Sequence, residues 1–181
     1  MRVVLVDAPE SLLEQRRRQG MDKFDEMWEG EWHFGNPPKS WHALLNGDML
    51  RALGPLADRA GLRSTGDALG VFAAENDWRV PDQVYLRPEQ IVEEGVTGAE
   101  LVVEFRSPGD ESYEKLPFYA GLGITEAMII HRDRRFELLR LDGAGAYQPV
   151  EDGRSTVLGV TFSTVEGPKL RIDWDGGSAE V

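Results

Sequence analysis

Three side chains in this sequence have the types and order of a hydrolytic centre. They are Asp82 after Pro81, Glu104 inside the apolar run Leu101–Phe105, and Lys115 a short way beyond. A strand turns successive side chains to opposite faces, so Glu104 and Arg106 share a side, opposite Val103 and Phe105. A carboxylate in the middle of a buried strand is costly unless it is paired or bound to a cation. Asp82, coming from a neighbouring strand, could meet Glu104 there. Two carboxylates converging on one point share a divalent cation in preference to repelling each other. Oxygen-only ligands suit a hard ion, Mg²⁺ or Mn²⁺, whose remaining positions stay with water. Such an ion polarises a phosphoryl oxygen and lowers the pKa of a bound water, and a lysine nearby steadies the attacking hydroxide or the developing charge. Each residue also has a plainer reading. Asp82 could be a strand-end or turn residue, Glu104 a buried partner of Arg106 or of another strand's arginine, and Lys115 a solvated helix lysine.

Those residues need elements to hold them. Glu100 to Ser107 is the strongest strand signal, with Leu101-Val102-Val103 at its heart. Arg79 to Leu86 predicts a strand carrying Asp82, and Ser112 to Leu122 a helix carrying Lys115, with a late start or kink at Pro117. Upstream, Ser11-Leu12-Leu13-Glu14 has capping-box spacing and opens a helix through Arg16-Arg17-Arg18, broken near Gly20. A second helical turn is expected over Met21 to Trp28, then a strand at Trp32-His33-Phe34. From Ser40, the residues Trp41, Leu45, Met49, Leu53, Leu56 and Ala60 recur at helical spacing and form a core-facing stripe ending at Gly61. Short strands are expected within 62–74, at Ala127–Ile130, Phe136–Leu139, Val157–Phe162 and Leu170–Trp174, with 173–181 a loose tail. Strand, helix and strand around 100–130 imply an α/β (α+β) sheet core in a single domain spanning 1–181.

Composition excludes several classes. The chain has 181 residues, a size typical of one domain. It has no cysteine, so disulfides, thiolate metal sites and thiol nucleophiles are excluded. No apolar run approaches the ~18 residues of a membrane helix, and Val3-Val4-Leu5-Val6 is too short for a signal-peptide core. A cytoplasmic protein is expected. The net charge of −12 argues against holding nucleic acid on a general cationic surface. DNA would have to enter through a local basic patch such as Arg16–Arg18, Arg79, Arg106 and Lys115. The histidines His33, His42 and His131 lack metal-ligand spacing, and His42 reads as a cap or packing residue. Trp28, Trp32, Trp41 and Trp78 read as anchors of core or loops, and Ser107 has no histidine partner that would make it a nucleophile.

The ordered segments Asp25–Gly30, Asn36-Pro37-Pro38 with His42, Arg79–Asp82, Val103–Pro108 and Glu114–Tyr119 are similar to the Uma-type putative endonuclease family. That family lies within the PD-(D/E)XK restriction-endonuclease-like superfamily, which Pro81-Asp82 followed by Glu104 also resembles. The likeness runs from about residue 15 to about 173. It implies a restriction-endonuclease-like mixed β-sheet flanked by helices, with additional N-terminal helices and C-terminal strands, and metal-dependent cleavage of DNA phosphodiesters. Carried over, Asp82 and Glu104 would be metal ligands, helped by the main-chain carbonyl of Phe105, and Lys115 the catalytic lysine. Glu26 would be an additional acid from the N-terminal helix, with Glu29 as substitute. Two residues after Glu104 the superfamily carries lysine where this chain has Arg106. An arginine cannot deprotonate and binds phosphate as a fork. Water positioning would therefore fall to Lys115, while Arg106 would take a phosphate or structural role and Arg79 would be a phosphate contact. Folds of this kind often pair two sites, so a homodimer is expected. The rivals are a catalytically silent scaffold that binds nucleic acid or a protein partner, and a purely structural ion-pair network.

Overall fold

The computed structural model describes residues 3–66, 69–107 and 109–181. Pro108 of the Val103–Pro108 segment lies outside them. Strand β1 (Val3–Leu5) precedes helix α1 (Glu10–Arg18), whose N-cap is Pro9 with no side-chain cap, so the expected capping box does not form. The helical turn expected over Met21–Trp28 is only a 3₁₀ turn, Asp22–Phe24, followed by strand β2 (Glu26–Trp28). Glu29 (φ 50°) and Gly30 (φ 96°) form a two-residue turn into β3 (Glu31–Phe34). Paired positive φ values match the right-handed twist of the flanking strands.

Helix α2 (Ser40–Arg59) buries Leu45, Met49, Leu53 and Leu56 as the stripe predicts. Ala60 is exposed at the C-cap, and Leu62 takes its place in the core. Pro55 sits on the exposed face one turn after Arg51, whose carbonyl water can satisfy. The chain then runs through β4 (Arg63–Gly66), β5 (Val71–Ala74), β6 (Asp77–Arg79) and β7 (Gln83–Leu86). The single strand expected over Arg79–Leu86 is thus two, because Pro81 has no N–H for a ladder. Next come β8 (Leu101–Arg106), α3 (Leu116–Gly121), β9 (Glu126–His131), β10 (Phe136–Leu141) and β11 (Tyr147–Pro149). The helix starts late, with Pro117 in its first turn, where no N–H is needed. The chain closes with β12 (Arg154–Ser155), β13 (Val160–Val165), β14 (Lys169–Trp174) and β15 (Gly177–Glu180). The tail is therefore not loose, since β15 pairs antiparallel with β14.

These strands form three sheets, ordered β1-β3-β2-β6-β5, β11-β10-β9-β8-β7-β4 and β12-β13-β14-β15. In the six-stranded sheet β8 and β9 run parallel, and a parallel pair needs a crossover, which carries α3. One apolar cluster joins Val103, Phe105, Met128 and Ile130 to α2 and to Phe162, Leu170 and Ile172 of the last sheet. A second joins Val84, Val102 and Ala127 to Tyr119 and Ile124. Alternation along β8 thus sends Val103 and Phe105 toward α2 and leaves Glu104 toward α3. Among the described residues, no helix is long and apolar enough to cross a membrane.

Candidate active site

Chain direction changes build the site. Gln83 pairs with Val103, so an extended β7 would set Pro81 opposite Phe105. The chain leaves the sheet there, and the Phe105 N–H donates instead to Asp82 Oδ2 at 2.6 Å. Asp82 is thereby fixed beside β8, in the link between two sheets rather than on a strand. His42, in the first turn of α2, holds the other oxygen, with Nε2 2.8 Å from Asp82 Oδ1 and its ring edge-on to Phe105 at 5.0 Å.

Glu104 sits one residue before that amide. Its Oε1 and Oε2 accept from Lys115 Nζ at 3.0 and 3.2 Å, and Oε1 also accepts from the Tyr119 hydroxyl at 2.6 Å. Lys115 is the N-cap residue of α3, not a residue within the helix, and Tyr119 follows one turn later, so both reach the same carboxylate. Lys115 Nζ lies 2.8 Å from Glu26 Oε1 and 3.5 Å from the Val80 carbonyl. Glu26 is on β2, not on a helix. Its Oε1 accepts the Val80 N–H at 3.0 Å and its Oε2 the Trp28 indole N–H at 2.8 Å. Glu29 is exposed at the β2–β3 turn, away from these groups.

Glu26, Glu104 and Lys115 are 2%, 5% and 6% exposed, yet all three line a cleft of about 330 Å³ with Asp82, His42 and the 35–38 loop. Gly35 is required on that loop, because a Cβ there would stand 1.9 Å from the Phe24 carbonyl oxygen. Burial pushes the Glu104 carboxyl up to about 7 despite the Lys115 ammonium, with Asp82 and Glu26 adding to the rise. Burial opposes the Lys115 charge, but Glu104 and Glu26 outweigh it and hold the ammonium above its ordinary value. Lys115 is therefore a donor and a fixed positive charge, not a base.

The basic residues separate. Arg79 is buried, its guanidinium between the Trp28 and Phe118 rings at 4.2 and 4.1 Å, with Nη1 donating to Asp77 and to the Met27 carbonyl. Its Nη1 is thus spent on protein acceptors, while its Nε has no partner among the described residues. Arg106 is exposed at the end of β8. Sequence reasoning gave no role to Tyr119, and it read His42 and Trp28 as packing residues. The Lys115–Tyr119 spacing of one helical turn was the signal available for the first, and the two-residue Glu26–Trp28 spacing along one strand for Trp28; the His42–Asp82 contact joins segments that sequence does not relate.

Among the described residues, no three His, Asp or Glu side chains converge closely enough to hold an ion between them. The donor chemistry nevertheless fits a hard cation. Five acids, Glu26, Asp82, Glu104, Asp110 and Glu111, line the cleft with Lys39 and Lys115, and burial, with Asp82 and Glu26 adding to it, raises the Glu104 carboxyl.

A crystal structure of a putative nuclease belonging to DUF820 from Anabaena variabilis ATCC 29413 superposes on this chain with a TM-score of 0.57. The identity is 13%, and the match covers 79% of this chain and 82% of that one. The fold is restriction-endonuclease-like, of mixed α+β class. No curated protein matches. The family profile of Uma2, putative restriction endonucleases, matches residues 10–168, and the chain belongs to that family.

Proposed function

We propose that this protein is a divalent-metal-dependent endonuclease that hydrolyses DNA phosphodiester bonds in the Asp82–Glu104–Lys115 cleft. The observation that carries the reading is the buried Glu104 carboxyl, pushed up to about 7 beside two further acids in a cleft open to solvent. Shifted acids in clefts cluster at functional sites. Asp82 and Glu104 would hold Mg²⁺ or Mn²⁺, with the Phe105 carbonyl and, through a shift of its partners, Glu26. When bound, the ion supplies a polarised phosphoryl oxygen and a more acidic water. Lys115 donates to the attacking water and steadies negative charge. Tyr119 and His42 hold Glu104 and Asp82 in place, and Arg106 reaches a phosphate.

Plasmid nicking in Mg²⁺ or Mn²⁺ tests this. The wild type nicks, Asp82→Ala loses at least about 10²-fold in rate, and equal activity in both removes the proposal. One feature favours a second reading, a scaffold that binds without cutting: the Glu104 charge is already met by Lys115 and Tyr119. Titration calorimetry with Mn²⁺ separates the two, since a nuclease must bind the ion with heat that Asp82→Ala abolishes. A homodimer, which would present two clefts to two strands, would sediment at twice the 20.2 kDa of the chain.

A further inference from the structure

Most of the cations that could meet DNA are cancelled within the fold. Arg16 donates to Asp25 and to the Gly35 carbonyl, Arg17 to Glu10, and Arg18 lies 3.5 Å from Glu14. Arg79 and Lys115 are buried against their own partners. Arg106 and Arg132, like Lys23, Lys39, Arg59, Arg63 and Arg154, are exposed and, among the described residues, form no ion pair with a carboxylate; what sets these two apart is that they share one hollow.

The two arginines line one hollow of about 630 Å³ with Ser107, His131, Asp133 and Arg135. Ser107 also lines the cleft, so the hollow continues from it. Arg106 and His131 are the last register pair of the parallel strands β8 and β9, two residues beyond Glu104. Sheets of this kind bind ligands outside the carboxyl ends of their parallel strands. The hollow is also built. The Arg106 guanidinium lies 4.9 Å over the Tyr113 ring, the Tyr113 hydroxyl donates to Glu137, and His131 Nε2 is 2.8 Å from the same Glu137 oxygen. The Glu137 carboxylate thus takes its short contacts from Tyr113 and His131, while Arg106 feels it only at a distance, beyond ion-pair reach. Asp133 pairs with Arg135 at 2.8 Å, so neither Arg106 nor Arg132 is held in an ion pair, in a chain of net charge −12.

We propose that this hollow is a DNA backbone subsite flanking the cleavage cleft, in which Arg106 and Arg132 each take a phosphate as a two-pronged fork. The proposal rests on the nuclease reading for its choice of ligand. It is tested by fluorescence anisotropy of a labelled DNA duplex in EDTA, where nothing is cut, at salt from about 50 to about 200 mM KCl. Arg106→Ala/Arg132→Ala should weaken binding uniformly across sequences and lower the salt slope by about two phosphate contacts. Arg59→Ala/Arg63→Ala makes the same change in net charge at exposed cations outside the hollow and the cleft, and should bind within about twofold of wild type. Equal weakening by the two pairs, or no duplex binding by the wild type at the lowest salt, overturns the subsite. If the wild type never nicks DNA yet its binding depends on Arg106 and Arg132, the cutting proposal falls and the subsite stands.

Discussion

Lys115 carries an ammonium into a place where burial alone would strip its proton, and two carboxylates keep it charged. Removing one partner of a buried pair costs far more than the pair contributes, because the other charge is stranded. Lys115→Met should lose about 3–5 kcal/mol in urea denaturation at pH 8. It should lose less at pH 5, where Glu104 can take a proton. In the metal-free protein Glu104 is held at about 7 against an ordinary 4.5. Between those values the folded state keeps a proton that the unfolded chain releases, so this contribution to stability is full below about 4.5 and gone above about 7. Urea midpoints in EDTA at pH 5 and pH 7.5 should show that fall, and Glu104→Gln should flatten it. At this scale the sequence was informative where a residue broke a pattern. Glu104 interrupts an apolar strand, which is visible in one dimension. Its Tyr119 donor is visible only once the turn between Lys115 and Tyr119 is known to start a helix. Trp28 reaches Glu26 along one strand, a same-face spacing hidden because Met21–Trp28 read as helical, and His42 acts through a contact across segments that no local pattern joins.

Elements place those residues through a few junctions. One is Glu126 at the start of β9, fully buried. Its carboxylate accepts from Arg140 Nη2 at 2.9 Å, from the Ser155 hydroxyl at 2.6 Å and from the Thr156 N–H at 2.9 Å. This acid ties the six-stranded sheet to the first strand of the C-terminal one. Glu126→Ala should cost about 3–5 kcal/mol by thermal or chemical denaturation, while leaving the cleft residues of the surviving folded protein unchanged in Mn²⁺ heat. Periodicity found α2 and β8, where one face is apolar over many residues. It failed at Met21–Trp28 and at Arg79–Leu86. In the first, a short strand and a 3₁₀ turn hold too few residues to show a period. In the second, Pro81 divides one apolar stretch between two sheets, so the site lies at the division.

For the whole molecule, the net charge of −12 is an excess of acid that cations arriving from outside would offset. The fold neutralises most of its arginines internally and leaves exposed positive charge beside the cleft. Association with DNA should therefore be weak and steeply salt-sensitive, and most of the charge on the surface should contribute repulsion. Divalent ion should raise the affinity of the wild type and not that of Asp82→Ala, in anisotropy measured below about 100 mM KCl.

Trp28 gives its indole N–H to Glu26, the acid that also grips Lys115, and it stacks on His33 at 4.1 Å. The cleft thus carries a native optical probe wired to the carboxylate of one of its own acids. Any ion that draws Glu26 away must break that bond, and the emission of Trp28 should shift as it does. Trp28→Phe should erase that signal while the other four tryptophans go on shining unchanged.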